Sequence, residues 1–420
     1  MSEGRRAHEH HLSMATYMAL AARNLTRNSR RTALTIAALV VAIGALTFLM
    51  GFMNAYLVGM NENFVLVMNG HIQIYGPEFK DSNLIDDYMP DTAPITAALD
   101  GDDRVRAWTQ RITASGLASV ARSTTSVAVV GVDPLREPEV GRLRTFVVAG
   151  EWLAPEDAGG VLLGVDIADN LEVELGDKIV MMTQGPGGDI VSEAFRVRGL
   201  LHSGIPDIDR VLALVTLSSA QSWLGLGDGA TEIVVRTHEF ETVDAVADAL
   251  VAGVGQSLDI RRWYNQDPLI EQMLEMQDAS HLIIIAVVIS VVLGQLINTM
   301  FMSLYDRVRE FGLMEALGSR RRNLFAMLLW ESILLVSIGG FIGYAIAYGA
   351  ILWTAAVGID LSAFGDTLAS MYIDPIIRPV IDLQSNLYLL GTIIVTAILA
   401  GLLPAWRATR LNPVEAMRQI

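Results

Sequence analysis

The residues best suited to transmit or bind something in this chain form a charged amphipathic segment between two long apolar stretches. Residues 306–322 read DRVREFGLMEALGSRRR, with five arginines against three acidic residues. A segment with this charge must face water, whereas Phe311, Met314 and Leu317 recur at helical spacing and need an apolar partner. The pattern predicts either a helix that docks on a water-soluble protein or a loop that arginines anchor to anionic lipid.

Motifs for catalysis or nucleotide binding do not occur in the sequence. The only lysines, Lys80 and Lys178, follow Phe79 and Asp177, so no glycine-rich loop ends in a lysine that could contact phosphates. The chain has no cysteine, which excludes disulfides and thiolate chemistry. We therefore predict no catalytic residue and no cofactor in this chain, and any ATP hydrolysis must belong to a partner.

Metal binding is not expected either. His8, His10 and His11 cluster near the N-terminus, but no fourth ligand or fixed frame accompanies them, and a solvated polar tail is the better interpretation. The Asp-rich residues 81–103 lack the ligand spacing of a calcium loop. The acidic balance of the chain, with a net charge of −16, also argues against a nucleic-acid partner.

Four charge-poor stretches are long enough to cross a bilayer, which takes about 20 apolar residues. The first follows 31 mostly polar residues and is too long for the apolar region of a signal peptide. Residues 1–31 carry a net charge of +4 and residues 306–322 of +2, whereas residues 59–278 carry −20. Because short basic segments stay in the cytosol, both termini are predicted to be cytosolic and the acidic domain to be exported.

These observations predict an α-helical membrane protein with four transmembrane helices and a large α+β exported domain between helices 1 and 2. In that domain, residues 70–76, 126–132, 144–148 and 190–200 read as strands, and residues 80–103 as a loop. The expected order is a cytosolic segment with an interfacial helix (1–31), transmembrane helix 1 (32–58), the extracytoplasmic domain (59–278), transmembrane helix 2 (279–305), a cytosolic coupling helix (306–322), transmembrane helix 3 (323–354), an external loop (355–386), transmembrane helix 4 (387–405) and a cytosolic C-terminal helix (406–420).

Three patches of the sequence resemble the MacB/FtsX-type permeases of ABC transporters. They are RNLTRNSRRTALT (23–35), the run from Leu296 to Leu335 around the charged segment, and LLPAWRATRLNPVEAMR (402–418). Within that superfamily the exported domain is most similar to the lipoprotein-releasing (LolC/LolE-type) permeases. The similar runs there are residues 70–79, 129–140, 159–179 and 195–209.

The resemblance implies a complex in the bacterial inner membrane. Its parts would be two ATPase subunits that carry ATP and Mg, this permease, and a second permease copy that is identical or paralogous. ATP-driven closure in the cytosol would move the periplasmic domains, a mechanism called mechanotransmission, and a lipid-anchored or amphiphilic substrate would leave the outer leaflet. A periplasmic lipoprotein carrier is a further expected partner, although residues 184–189 are short and Gly-rich where the family has a long carrier-binding loop.

The resemblance also suggests which residues act. By that resemblance the substrate cavity is lined by helices 1 and 2 of both permease copies, although helix packing and lipid contact would give the same apolar pattern. Glu331, inside an apolar stretch, is predicted either to pack or gate helices or to reach water or Arg320. The predicted coupling residues are Arg307, Arg309, Glu310, Phe311, Met314, Leu317 and Gly318, with the three apolar side chains in a groove of the ATPase; the predicted cavity residues are Met50, Met53, Leu57, Leu293, Ile297 and Phe301.

Three functions therefore stay open at the level of the sequence. The favoured one is lipoprotein release, in which the permease extracts a lipidated substrate. The alternatives are efflux of small hydrophobic molecules and FtsX-like transmembrane signalling to a cell-wall hydrolase. A wide apolar cavity between the spans favours transport, and a narrow closed seam favours signalling.

Overall fold

A computed structural model describes residues 29–254, 258–266, 268–316, 320–370, 372–381 and 383–408, together with Arg23 and Leu25. The interfacial N-terminal helix and the C-terminal helix predicted from the sequence therefore lie almost wholly outside the described residues, as do Leu317 and Gly318. The chain divides into two compact units. The helical unit contains Met1–Tyr56, Met276–Ile359 and Ile377–Ile420, and the sheet unit contains Leu57–Glu275 and Asp360–Ile376.

Along the chain, a strand-rich region lies between the first long helix and the other three. The helices are α1 (Ser29–Phe64), α2 (Phe79–Ser82), α3 (Ala93–Asp100), α4 (Glu137–Val140), α5 (Val165–Leu171), α6 (Pro206–Asp209), α7 (Leu217–Leu224), α8 (Val243–Val254), α9 (Pro268–Asp306), α10 (Val308–Ala316), α11 (Arg321–Val357), α12 (Gly365–Ser370) and α13 (Leu383–Ala408). The strands are β1 (Ile72–Tyr75), β2 (Val105–Ser119), β3 (Thr124–Val132), β4 (Val147–Gly150), β5 (Gly160–Gly164), β6 (Lys178–Gln184), β7 (Ile190–Leu201), β8 (Leu212–Thr216), β9 (Glu232–Thr237), β10 (Asp259–Arg262), β11 (Ile359–Asp360) and β12 (Ile376–Ile377).

Four of these helices are long and apolar enough to cross a membrane, which confirms the four apolar helices of the predicted fold class. They are α1, α9, α11 and α13. Each of α1, α9 and α11 is longer than the apolar stretch that predicted it, because helical hydrogen bonding continues into the polar flanks. The helix that carries the second span, α9, begins at Pro268 and runs without interruption to Asp306.

Small residues allow the backbones of α1 and α11 to approach closely in the helical unit. A side-chain carbon added to Gly44 would lie 3.2 Å from the carbonyl oxygen of Gly343, and one added to Gly343 would lie 2.7 Å from that of Val40. Glycine at such a crossing replaces side-chain packing with backbone contact, as is common between membrane helices. The two glycines therefore fix the spacing of the first and third spans.

The sheet unit is built on one mixed sheet of ten strands, ordered β10-β1-β9-β2-β3-β8-β5-β7-β4, with β6 pairing both β2 and β7. Since β2, β3, β8, β5, β7 and β6 are joined successively and β6 returns to β2, these six strands form a closed ring. The pairs β3–β8 and β5–β7 are parallel, and the others in the ring are antiparallel. The result confirms a large domain of mixed strands and helices.

Two of the apolar cores of this unit pack its helices against the sheet. One core lies on the strands of the ring and includes Ile112, Val129 and Phe195. The other joins β1, β2 and β9 to α3 and α8. The prediction that residues 80–103 form a loop is wrong for α3, because Ile95 and Leu99 are buried there on one side of the helix.

Two further differences from the predicted strands affect the interpretation. Residues 144–148 are not one strand, because a 3-10 turn at Leu143–Phe146 precedes β4. The 15-residue strand β2 was not predicted at all, although it is the longest in the sheet and pairs with three others. Its alternation is broken by buried polar residues, among them Arg111, so it does not read as an apolar strand.

Candidate coupling site and substrate path

The base of α10 is held by a network of charged and polar side chains at the end of α9. The Arg307 guanidinium donates from Nη1 to Glu331 Oε2 at 3.2 Å and from Nε to Glu310 Oε2 at 3.3 Å. The hydroxyl of Ser303 donates to Glu331 Oε1 at 3.1 Å. Glu331 is only 4% exposed, so its carboxylate is satisfied inside the protein, and the helix-packing interpretation is favoured over a side chain that reaches water.

Two more contacts join the helix ends near this network. Arg31, near the start of α1, forms an ion pair with Asp306 at the end of α9, with Nη1 and Oδ2 2.5 Å apart. Arg407, near the end of α13, places its guanidinium 5.5 Å from the centre of the Phe301 ring. Charged side chains of α1, α11 and α13 therefore contact the last residues of α9, which lead into α10.

The apolar side of α10 differs from the sequence expectation. Phe311 is 2% exposed and packs in the core of the helical unit, and Met314 packs against the same core. A side chain buried inside its own chain does not fit the predicted insertion of Phe311 into a groove of another protein. The side chains that α10 presents outward are Leu313, which is 56% exposed, and Arg309.

The predicted cavity residue Met50 lines a small, partly open pocket in the helical unit. Its other walls include Thr47 and Gly51 of α1, Ile351 of α11 and Leu389 of α13. The pocket is mostly apolar, and it lies among the first, third and fourth spans of one chain. A cavity formed by the first and second spans of two permease copies stays a prediction.

The other predicted cavity residues are all half-buried. Leu293 and Phe301 pack against the core of the helical unit, and Met53 and Ile297 belong to the same unit. Leu57 belongs to the sheet unit. A substrate cavity lined by all six residues stays a prediction.

The second span has polar side chains that sequence reasoning missed. Among the described residues of the four spans, exposed amide side chains occur at Gln295 and Asn298 of α9. Gln295 lies 11 residues before Asp306, or about 16 Å along a helix, near the centre of a bilayer about 30 Å thick. An amide in hydrocarbon is costly unless it pairs, so these two side chains make this face of α9 a candidate interface.

The hairpin between β6 and β7, the place of the expected carrier contact, is tied to its own domain. The backbone NH of Gly187 donates to the Asp86 carboxylate at 2.7 Å. The turn Pro186–Gly188 is short, and Gly187 and Gly188 adopt positive φ angles of 76° and 86°. The loop is therefore a tight turn held by a side chain, with little length to reach outward.

Metal chemistry has no candidate in the part of the chain that the structure describes. No group of three or more His, Cys, Asp or Glu side chains lies there in an arrangement that could hold an ion. The buried histidine of the sheet unit, His71, instead accepts through Nδ1 from the backbone NH of Thr237 at 2.9 Å. Burial and the nearby Arg236 lower the pKa of His71 to about 4, so this ring is neutral at neutral pH.

Comparison with known families gives the chain its place. The family described as the MacB-like periplasmic core domain matches residues 32–252, and the FtsX-like permease C-terminal family matches residues 282–413. The chain belongs to the MacB/FtsX superfamily of ABC-transporter permeases. The resemblance seen in the sequence is thereby confirmed, and the two matches cover both the sheet unit and the later spans of this permease.

Individual relatives fall into two groups. The permease is 25% identical over 300 residues to the lipoprotein-releasing system transmembrane protein LolC of Xylella fastidiosa (strain Temecula1 / ATCC 700964), covering 69% of this chain and 72% of the relative. It is 25% identical over 437 residues to the macrolide export ATP-binding/permease protein MacB of Rhodospirillum rubrum, covering 96% of this chain and 60% of the relative. The periplasmic region of MacB from Actinobacillus actinomycetemcomitans aligns with a TM-score of 0.35 at 14% identity, over 49% of this chain and 92% of that one.

Proposed function

We propose that this permease is the membrane subunit of an ABC complex that extracts a lipid-anchored or amphiphilic substrate from the outer leaflet of the inner membrane. A partner ATPase, present in two copies with its ATP and Mg, would supply the energy, and a second permease copy would complete the membrane part. The observation that carries the proposal is α10. Its base is locked to a buried carboxylate by Arg307, and its outer side offers Leu313 and Arg309 to a partner.

Lipoprotein release is the first candidate for the transport function, because the alignments with relatives named for that system cover 72% of those relatives. Efflux of a small hydrophobic molecule is the second, because a macrolide exporter matches 96% of this chain. A lipid anchor gains about 0.8 kcal/mol for each buried CH₂ group, so its release needs a long apolar surface. The half-buried residues of the first two spans can supply that surface only if two copies face each other.

The partner interaction is tested by a charge on the outer side of α10. Leu313→Asp should abolish co-purification of the partner ATPase, because a carboxylate in an apolar groove is desolvated without a partner. Leu135→Asp, at another exposed leucine, is the matched control and should retain the complex. Phe311→Asp is expected to destabilise the permease itself, since Phe311 is buried. Full ATPase binding and stimulation in Leu313→Asp would remove α10 from the coupling role.

The substrate class is tested by photocrosslinking in the membrane. A photoreactive amino acid at Met53 or Ile297 should capture a lipidated protein under ATP turnover, or a small amphiphile if the efflux alternative holds. The same probe at Phe341, an exposed position of α11, is the control for general lipid contact. Capture of lipid alone at all three positions would argue against both transport functions and favour signalling.

The predicted orientation has its own test, because the chain has no cysteine to replace. Ile190→Cys in the sheet unit should react with an impermeant maleimide added outside intact spheroplasts. Leu313→Cys in α10 should react only after the membrane is opened. Labelling of Leu313→Cys from outside would overturn the proposed topology.

A further inference from the structure

The end of α1 becomes part of the sheet unit and finishes in an unusual turn. Residues 57–69, which we call the stalk, belong to that unit and end in the π-helical turn Val65–Asn69. The turn is closed by the backbone NH of Gly70, which donates to the carbonyl of Val65 at 2.7 Å. Carbonyl groups at a helix end lack partners within the helix, so whatever binds them determines the direction in which the chain leaves.

A buried arginine binds one of these stalk carbonyls. Arg111 of β2 is about 1% exposed, and its Nη1 donates to the carbonyl of Met68. The same guanidinium donates from Nε to Glu137 Oε2 at 2.9 Å, and Glu232 Oε1 lies 3.8 Å from Nη1. Burial raises the pKa of the Glu232 carboxyl, while the full bidentate pair with Glu137 keeps the guanidinium charged.

The segment after α4 binds the stalk two residues earlier, at Leu66. The backbone NH of Arg142 donates to the carbonyl of Leu66 at 2.8 Å, and its guanidinium donates to the side-chain oxygen of Asn63. Gly141 makes this approach possible, since a methyl group there would lie 2.9 Å from the Leu66 oxygen. The loop between α11 and α13 adds the Tyr372 ring, which meets the Phe64 ring edge-on with centroids 5.4 Å apart.

These contacts go beyond what a stable fold requires. A buried ion pair contributes little net stability, because desolvation offsets the attraction, but it tolerates only one geometry once formed. Here Glu137 fixes the guanidinium, the guanidinium fixes the Met68 carbonyl, and Gly141 allows a second fixed carbonyl two residues away. A helix held by two carbonyls and one side chain cannot bend freely at its end.

We propose that Arg111, Glu137 and Gly141 form a rigid joint that fixes the orientation of the stalk in the sheet unit, so that a tilt of the first span is delivered to the whole unit. Arg111 acts as a positioning residue, because it acts on the stalk and touches neither nucleotide nor substrate. The mechanical role of the joint rests on the proposed function, but its rigidity is a property of the permease alone.

Rigidity is measured without ATP or substrate by pulsed electron paramagnetic resonance. Spin labels at Val58→Cys on the stalk and Ile190→Cys on β7, positions that are 52% and 80% exposed, form the only thiol pair in the chain. The full-length permease is measured in detergent after dilution with unlabelled chain. The joint predicts one narrow distance distribution in the otherwise unchanged protein.

Two kinds of variant should loosen the joint. Arg111→Met combined with Glu137→Met removes the clamp and should broaden the distribution about twofold. Glu232 then loses its nearby cation, and burial, which already raises the pKa of its carboxyl, favours the neutral form. Gly141→Ala should shift or broaden it, because the added methyl group would push the Leu66 carbonyl away. Their matched controls, Arg104→Met in an exposed ion pair and Gly159→Ala in open space, should leave it unchanged.

The outcomes separate the joint from the function it would serve. A broad distribution in the unchanged protein, or a narrow and unshifted one in both joint variants, overturns the joint. If the double variant does not fold by circular dichroism, Gly141→Ala decides. If the joint transmits motion, the complex of the partner ATPase with the Gly141→Ala permease should hydrolyse ATP at a normal rate. It should release less substrate for each ATP than the complex with the unchanged permease. A loosened joint with unchanged release contradicts only the transmission role.

Discussion

The contact between Arg307 and Glu331 gives a prediction whose size can be estimated from the structure. With Nη1 and Oε2 3.2 Å apart, the gross attraction is about 5 kcal/mol at an effective dielectric constant of about 20. Most of this is offset by desolvation, but removing one partner strands the other, at a cost of about 3–5 kcal/mol when the remaining charge is buried. The cost should therefore depend on which partner is removed.

Arg307→Met should be the more damaging change. Glu331 would keep only the Ser303 hydroxyl in a buried position, so we expect a loss of about 3 kcal/mol in the free energy of unfolding. In Glu331→Gln the amide can still bond to Ser303, and Arg307 keeps Glu310, so the expected loss is about 1 kcal/mol. The double variant should resemble Glu331→Gln, because no charge is then left stranded.

Unfolding in mixed detergent micelles, followed by circular dichroism, measures these differences. Arg309→Met is the matched control, since Arg309 is exposed on the same helix and its removal should change the free energy of unfolding by less than about 0.5 kcal/mol. The reasoning is refuted if Arg307→Met is no worse than Arg309→Met. It is also refuted if the double variant is as unstable as Arg307→Met.

Two other predictions concern a buried histidine and the polar face of the second span. His71 binds a proton below about pH 6.5 in the unfolded state, but only near pH 4 in the folded state. The free energy of unfolding should therefore fall as the pH drops between these values, by up to about 1.4 kcal/mol per pH unit. In melting curves of the full chain, His71→Asn should flatten this pH dependence and His238→Asn should not. Replacing Gln295 and Asn298 by leucine should reduce chemical cross-linking between two permease copies in membranes, because pairing of the amides between the copies is lost. Unchanged cross-linking would mean that this face contacts lipid or substrate.

The sequence alone was sufficient for the four apolar helices and the family. Long apolar stretches must become helices in a bilayer, since every backbone group has to be satisfied within the segment, so the four spans follow from composition. The amphipathic pattern around Phe311 likewise predicted the short helix between the second and third spans. The family followed from contiguous runs of residues, which need no knowledge of the fold.

Contacts between residues far apart in the chain were decided only by the tertiary structure. Periodicity shows that Phe311 lies on an apolar face, but not whether that face packs inside the chain or against a partner, and the structure buries it. Arg111 was overlooked because a charge within a strand contradicts the alternation by which strands are recognised. Its partner Glu137 lies 26 residues away. A buried charge is tolerated only when the fold brings a counter-charge to it, and no local pattern in the sequence specifies that meeting.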